Sequence, residues 1–262
     1  MNKPIQAIYF LKFFATGTII PVLSLMLLSR GATIGTISLM IGLYSATVIA
    51  AEFPSGVFAD LFGRKKAFLL SCFLYLLSYC LFLFSHSAAV LLVGMVTNGL
   101  SRAFSSGSIE ALMIDDATER HVPLERVTAR LSILESAGLA AGALAGGLLA
   151  GIGSRFSGNL GVNIAASAAL ILLTLLFVRE TPRDQTRRAA TTRRRLFGAQ
   201  VQESLSFARR RGTVRVLLVF CLLMGFAMSA VEIYWQPALA SYQSVYWVFG
   251  AVSFAGFAFV ML

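Results

Sequence analysis

Residues 52–66 read EFPSGVFADLFGRKK, and this stretch decides how the chain is organised. It lies between two long apolar runs, 34–57 and 67–84. Gly56 is small enough to let two helices approach closely. Gly63 suits a left-handed turn conformation that side chains with a Cβ resist. Asp60 is an anion at a turn, where it can meet a helix N-terminus or a cation. Arg64, Lys65 and Lys66 form a cluster that holds a connecting turn on the positively charged side of a membrane.

Outward from this turn the same alternation repeats. Apolar runs cover 5–28, 34–57, 67–84, 88–114, 127–152, 162–178, 213–235 and 245–262. Each approaches or exceeds the roughly 20 residues that cross ~30 Å of hydrocarbon as a helix. The runs are continuous rather than alternating, and an open sheet in lipid would leave backbone groups unpaired, so strands do not compete. Hydrophobic residues make up 57% of the 262 and charged residues only 13%. A soluble domain carries about 25% charged residues. With a mean hydropathy of +0.78, the chain reads as an all-α membrane protein whose solvent is the lipid bilayer.

Charge placement gives the topology. Lys3, the cluster Arg64–Lys66, Arg120, Arg126 and Arg130 fall on one side, with eleven arginines between Arg179 and Arg215. The opposite side receives only Arg30 and Arg155. The positive-inside tendency therefore puts the N-terminus in the cytoplasm. It also accounts for the net charge of +10 without nucleic acid as a partner. Lys3 and Lys12 precede the first apolar run, but no small-x-small cleavage site follows, so that run reads as an uncleaved first helix. Cys72, Cys80 and Cys221 sit inside apolar runs and have no metal-ligand spacing.

Residues 1–180 thus read as a six-helix bundle, 181–212 as a basic linker, and 213–262 as the start of a second bundle. Within the linker, Phe197, Val201, Leu205 and Ala208 share one helical face. That spacing fits either an amphipathic helix on the inner leaflet or a solvated connector. The last apolar run has no closing charge, so the chain reads as interrupted within its eighth helix, and such a polypeptide is not expected to transport alone.

Three further stretches carry polar or small residues in order. In the fourth helix, Asn98, Arg102, Ser106 and Glu110 recur every four residues as one polar stripe. A charge at mid-membrane depth costs at least ~2.5–3.5 kcal/mol unless it finds a partner or water. Asp115 and Asp116 end that helix near the Arg64 turn. In the fifth helix, Gly138, Gly142, Gly146 and Gly147 let backbones pack closely. Lys12 and Glu135 lie about two turns into the first and fifth helices, at similar depth. Lys12, Arg102, Glu110 and Glu135 are therefore candidates for one charge network, with Lys12 alternatively snorkelling to the headgroups. Glu232, next to the aromatics of Tyr234-Trp235, is a weaker candidate.

Gly56, Ala59, Asp60, Gly63, Arg64 and Lys65 together resemble motif A of the major facilitator superfamily, with Phe58 in place of the usual Leu. The stretch around Arg102 resembles the family's motif B, and Gly138–Gly147 resembles its motif C, with Ala143 where that motif has Pro. The resemblance implies an MFS-type fold: a complete N-terminal six-helix half plus about two helices of the C-terminal half. It implies secondary active transport of a small-molecule substrate by alternating access in a bacterial inner membrane. Proton-coupled efflux is the expected mode, and a nutrient symporter or a non-transporting membrane sensor is the alternative. It further implies that Arg64 pairs with Asp115 or Asp116, and that Arg102 lines the central cavity and takes part in proton coupling. A purely structural Arg102, paired with Glu135 or a backbone carbonyl, is the competing reading. No phosphate-binding loop, metal-ligand cluster or catalytic constellation is visible, so neither a cofactor nor enzymatic activity is expected.

Overall fold

The computed structural model describes residues 3–85, 87–119, 121–154, 156–178, 212–242 and 245–259. The linker residues 181–211, with the proposed amphipathic face, lie outside the described residues, as do Arg120, Arg155 and residues 260–262. Among the described residues the structure is helical throughout and contains no strand. The helices are α1 (Lys3–Ile19), α2 (Leu23–Ser29), α3 (Ile34–Phe62), α4 (Arg64–Phe84) and α5 (Ala88–Ser105). They continue with α6 (Ser108–Glu119), α7 (Leu124–Leu149), α8 (Ser157–Phe177), α9 (Gly212–Tyr242) and α10 (Trp247–Phe259). Among the described residues, seven segments are long and apolar enough to cross a membrane, two of them built from helix pairs, α1 with α2 and α5 with α6, while α10 is a shorter apolar helix.

Both composite spans depart from the continuous helices expected of the sequence. In the first, Pro21 supplies no N–H to an α-helical ladder, and a 3-10 turn at Ile20–Val22 separates α1 from α2. In the other, Gly107 adopts φ +71°, a left-handed conformation open to glycine, so α5 stops at Ser105 and α6 starts at Ser108. The Asn98–Arg102–Ser106–Glu110 stripe therefore does not lie along one helix. The turn at 58–66 is corrected in the opposite sense. Helix α3 runs through Asp60 to Phe62 and α4 begins at Arg64, leaving Gly63 as the single residue between them. Gly63 has φ 102° and ψ 149°, an extended glycine-only conformation rather than the left-handed helical turn expected.

Two apolar cores stack along the bundle. One gathers Ile8, Tyr9, Phe13, Phe68, Ile109, Met113, Leu131 and Leu170 near the end that carries Lys3 and Arg64. The other gathers Val22, Met26, Ile37, Met40, Phe82, Leu91, Phe156 and Leu160 near the opposite end. Between them lies a buried hydrogen-bonded belt. Asn159 Nδ2 donates to the carbonyls of Thr18 (2.8 Å) and Gly146 (2.9 Å). Asn163 Nδ2 donates to Thr18 Oγ1 (2.8 Å), and Tyr75 donates to Asn163 Oδ1 (2.8 Å). In hydrocarbon such groups are tolerated where they meet partners, as both amide nitrogens do here, while Asn159 Oδ1 accepts no hydrogen bond among the described residues. Outside the cores, large apolar side chains such as Ile49 (78% exposed) and Phe84 (74% exposed) face outward, as a lipid-solvated surface requires.

The tightest seam joins α1 to α7. A Cβ on Gly138 would lie 2.9 Å from the Phe10 carbonyl oxygen, and Cβ atoms on Gly142 and Gly146 would run into the carbonyls of Phe14 and Thr18. Gly17 faces back from α1, 3.0 Å from the Gly142 Cα by the same construction. Gly147 looks the other way and abuts Gly250 of α10. Gly56, expected to permit close helix packing, has nothing within 4 Å of a Cβ among the described residues, because it lies on an uncovered face of α3.

Candidate functional site

The broken fourth span sets the site. Since α5 ends at Ser105 and α6 restarts at Ser108, the chain there turns its polar side chains toward α1 and α7. A cavity of about 360 Å³ opens among Tyr9, Phe13, Arg102, Ser106, Glu110 and Glu135, with Thr128 and Ser132 on its α7 wall. Tyr9 and Phe13 lie in the first half of the first span, so the cavity belongs to the half of the bundle nearer Lys3 and Arg64.

Lys12 Nζ sits 3.6 Å from Glu110 Oε1, with 12% and 27% of the two side chains exposed. The ammonium also lies 4.8 Å from the Phe13 ring centroid and 5.9 Å from that of Tyr9, within reach of cation–π attraction. Neither Lys12 Nζ nor Glu110 Oε2 has a hydrogen-bond partner, so the pair is held by charge alone. Lys12 thus turns inward rather than snorkelling. Tyr9 donates to Glu135 Oε2 at 3.4 Å, which brings the second carboxylate to the same cavity. The Arg102 side chain is exposed to the cavity, and no hydrogen bond or ion pair joins it to Glu135 or to a carbonyl among the described residues. Asn98 does not belong to this group: its Nδ2 donates to Ser78 Oγ at 3.0 Å, against α4.

A second constellation lies at the α3–α4 turn. Arg64 Nη1 donates to the Ala111 carbonyl (3.0 Å) and to the Asp115 carboxylate. Arg64 is the first residue of α4, where a cation opposes the helix dipole, and Asp115 lies near the end of α6, where an anion does so too. Pairing them offsets both penalties. Lys65 Nζ donates to the Leu175 carbonyl at 3.2 Å, near the C-terminus of α8, where a cation is favourable. Asp60 is half-buried in the last turn of α3, and Asp116 follows Asp115 on α6. Both ends of the Arg64–Asp115 bridge are partly exposed, so solvent screens it and its coupling should be modest. Melting of Arg64→Ala, Asp115→Asn and the double variant in detergent should give a coupling energy of about 0.5–1 kcal/mol. Purely additive losses would show that the bridge contributes nothing.

Sequence reasoning missed four residues that the structure uses. Asn159 and Asn163 recur at four-residue spacing inside an apolar run, a signal that was visible. Tyr9 and Gln236 gave none, being single polar groups among aromatics. Glu232 lies on an exposed face of α9. Among the described residues, no three His, Cys, Asp or Glu side chains are placed to hold a metal ion.

Comparison with known proteins agrees with this architecture. The sequence profile described as Major Facilitator Superfamily matches residues 7–262. The MFS-type transporter YxaM of Bacillus subtilis (strain 168) is 26% identical over 230 residues, covering 88% of this chain and 56% of that protein. Multidrug resistance protein 2 of the same organism is 26% identical over 177 residues, covering 65% of this chain and 43% of its own length. The crystal structure of the nucleoside transporter NupG superposes with a TM-score of 0.77 at 14% identity, covering 97% of this chain and 63% of that one. An auto-inhibited POT family peptide transporter gives 0.55 at 17% identity, covering 91% and 53%. At those identities the structural likeness speaks for the fold. The chain spans about half the length of the curated relatives it matches.

Proposed function

We propose that this chain, which belongs to the Major Facilitator Superfamily, forms one wall of an alternating-access pathway that exports a small solute in exchange for protons. The observation that carries the reading is the Lys12–Glu110 ion pair, whose Glu110 lines a cavity together with Arg102 and Glu135. Intramembrane charges are costly, and in transporters they mark ion and substrate pathways. Protonating Glu110 would release Lys12 and recharge the cavity, which is the local event that coupling needs. Glu135, Arg102 and Tyr9 then set the charge that an incoming solute meets.

Efflux is favoured by the multidrug resistance relatives, which are 26% and 25% identical to this chain over 177 and 175 residues. The end bearing Lys3, Arg64 and Arg126 is cytoplasmic in this reading, following the positive-inside tendency, and the membrane is a bacterial inner membrane. Residues 3–178 form the first half of the transporter, and α9 and α10 belong to the second. Alternating access needs two facing bundles, and α9 and α10 form only part of the second, so the 262 residues by themselves are expected not to transport.

The intact protein in liposomes loaded with a pH-sensitive dye tests this. Adding organic cations, nucleosides or short peptides across an imposed pH gradient should move protons for at least one class, in the antiport direction. A gradient that changes no solute flux sinks the proposal. Proton movement in the same direction as the solute replaces efflux by symport. Transport by the isolated 262 residues overturns the claim that they are insufficient.

A further inference from the structure

The break in the first span is filled from another helix. In a continuous α-helix the N–H of residue 24 would bond the carbonyl of residue 20. Here α2 begins only at Leu23, so the Ser24 N–H belongs to the first turn, whose donors have no partner within the helix. Gln236 of α9 inserts its side-chain amide at this point. Its Oε1 accepts from Ser24 N at 2.8 Å, and its Nε2 donates to the Ile20 carbonyl at 2.8 Å. Gln236 is 2% exposed. One amide thus stands in for the missing peptide-to-peptide bond and satisfies both of its ends.

The position of this contact gives it a role. Helix α9 is exposed along most of 212–232 and becomes buried at Ile233 and Gln236. Nearby, Phe156 meets Tyr246 edge-on at 5.4 Å, and Gly147 abuts Gly250. The Gln236, Tyr246 and Gly250 contacts thus lie in the half of the molecule away from the Lys12–Glu110 pair, while α10 packs along α7. We infer that Gln236 is a latch: its amide holds that half closed by occupying the break in the first span. Withdrawal of Gln236 would leave the Ile20 carbonyl and Ser24 N–H to each other, so the span can rejoin as α-helix when that half opens. Opening exchanges two hydrogen bonds between helices for one within a helix, and neither the Ile20 carbonyl nor the Ser24 N–H is left without a partner. The inference rests on the alternating-access reading.

The test places spin labels at Ile152→Cys and Tyr242→Cys, both exposed at this end, in the intact protein freed of native cysteines and reconstituted in liposomes. The wild-type background should show a dominant short distance and a minor long one. Gln236→Leu, which removes both hydrogen bonds, should raise the ratio of long to short by about tenfold. Gln236→Glu keeps the acceptor for Ser24 and loses the donor to Ile20, so its ratio should fall between the two and guards against a misfolded Leu variant. Two wild-type populations whose ratio neither variant changes would overturn the latch and leave alternating access standing. A single distance in every variant, with and without a pH gradient, would overturn both.

Discussion

Glu110→Gln is expected to reduce proton-driven flux to the level of protein-free liposomes and to lower the melting temperature as well. The two effects have one origin. Glu110 is the anion opposite Lys12, and both side chains are more than two-thirds buried. Gln in its place cannot titrate, so the proton step is lost. It also leaves an ammonium in a low-dielectric site without a counter-charge, and breaking one side of a buried pair costs roughly 3–5 kcal/mol. The cation–π contacts with Phe13 and Tyr9 recover only part of this, on the order of 1–2 kcal/mol. Replacing both partners by apolar residues of similar volume, Lys12→Met with Glu110→Leu, removes the uncompensated charge. That double variant should melt near the wild type, since such exchanges are often neutral or stabilising, and should still show no proton coupling. Flux measured by the pH-sensitive dye and melting followed by a thiol-independent dye read the two effects separately. Proton-coupled flux that survives in Glu110→Gln would remove this residue from the mechanism.

Gly142→Val should be the most destabilising single change in the described helices. A Cβ at Gly142 meets the Phe14 carbonyl and lies 2.9 Å from the Gly17 Cα, so the obstruction is backbone rather than a side chain that could rotate away. Helices α1 and α7 would have to separate, loosening Gly138 and Gly146 with them. Overpacking of a close contact typically costs about 1–3 kcal/mol, and a backbone-on-backbone contact stands at the upper end. The expected result is little folded protein on size-exclusion chromatography. Gly161→Val on α8 is the matched control. Gly161 is exposed and a Cβ there meets nothing within 4 Å, so its effect should stay within about 0.5 kcal/mol. Equal losses at both positions would mean that glycine matters for propensity and not for this seam.

What the sequence made legible follows from the physics of each signal. Membrane spans were legible because roughly twenty apolar residues in a row have few other solutions. The Arg64–Asp115 contact was expected from the resemblance to motif A, while depth counting matched Lys12 with Glu135 and only grouped Glu110 with them as a candidate network, since costly charges at one height seek each other. The Gly138–Gly146 stripe announced a close approach but not its partner. Which helix lies against α7 is a tertiary fact, and it proved to be α1 for three glycines and α10 for the fourth. The breaks at Ile20–Val22 and Ser106–Gly107 were hidden because hydropathy is blind to backbone geometry, so two spans were read as unbroken. Gln236 was hidden for a different reason. Its partners are main-chain atoms created by one of those breaks, and no side-chain pattern encodes them.

The filled break also constrains how the protein is made. The Thr18 carbonyl waits for Asn159, which lies 141 residues further on, and the Ile20 carbonyl waits for Gln236, 216 residues further on. At roughly 5–20 residues per second, ribosomal synthesis takes on the order of ten to forty seconds to deliver the second partner. Throughout that interval an open main-chain break in lipid would cost several kcal/mol. The nascent first span, already kinked by Pro21, is therefore expected to keep the Ile20 carbonyl and Ser24 N–H bonded to each other until the later helices dock, so the final shape of the earliest segment is among the last features to form.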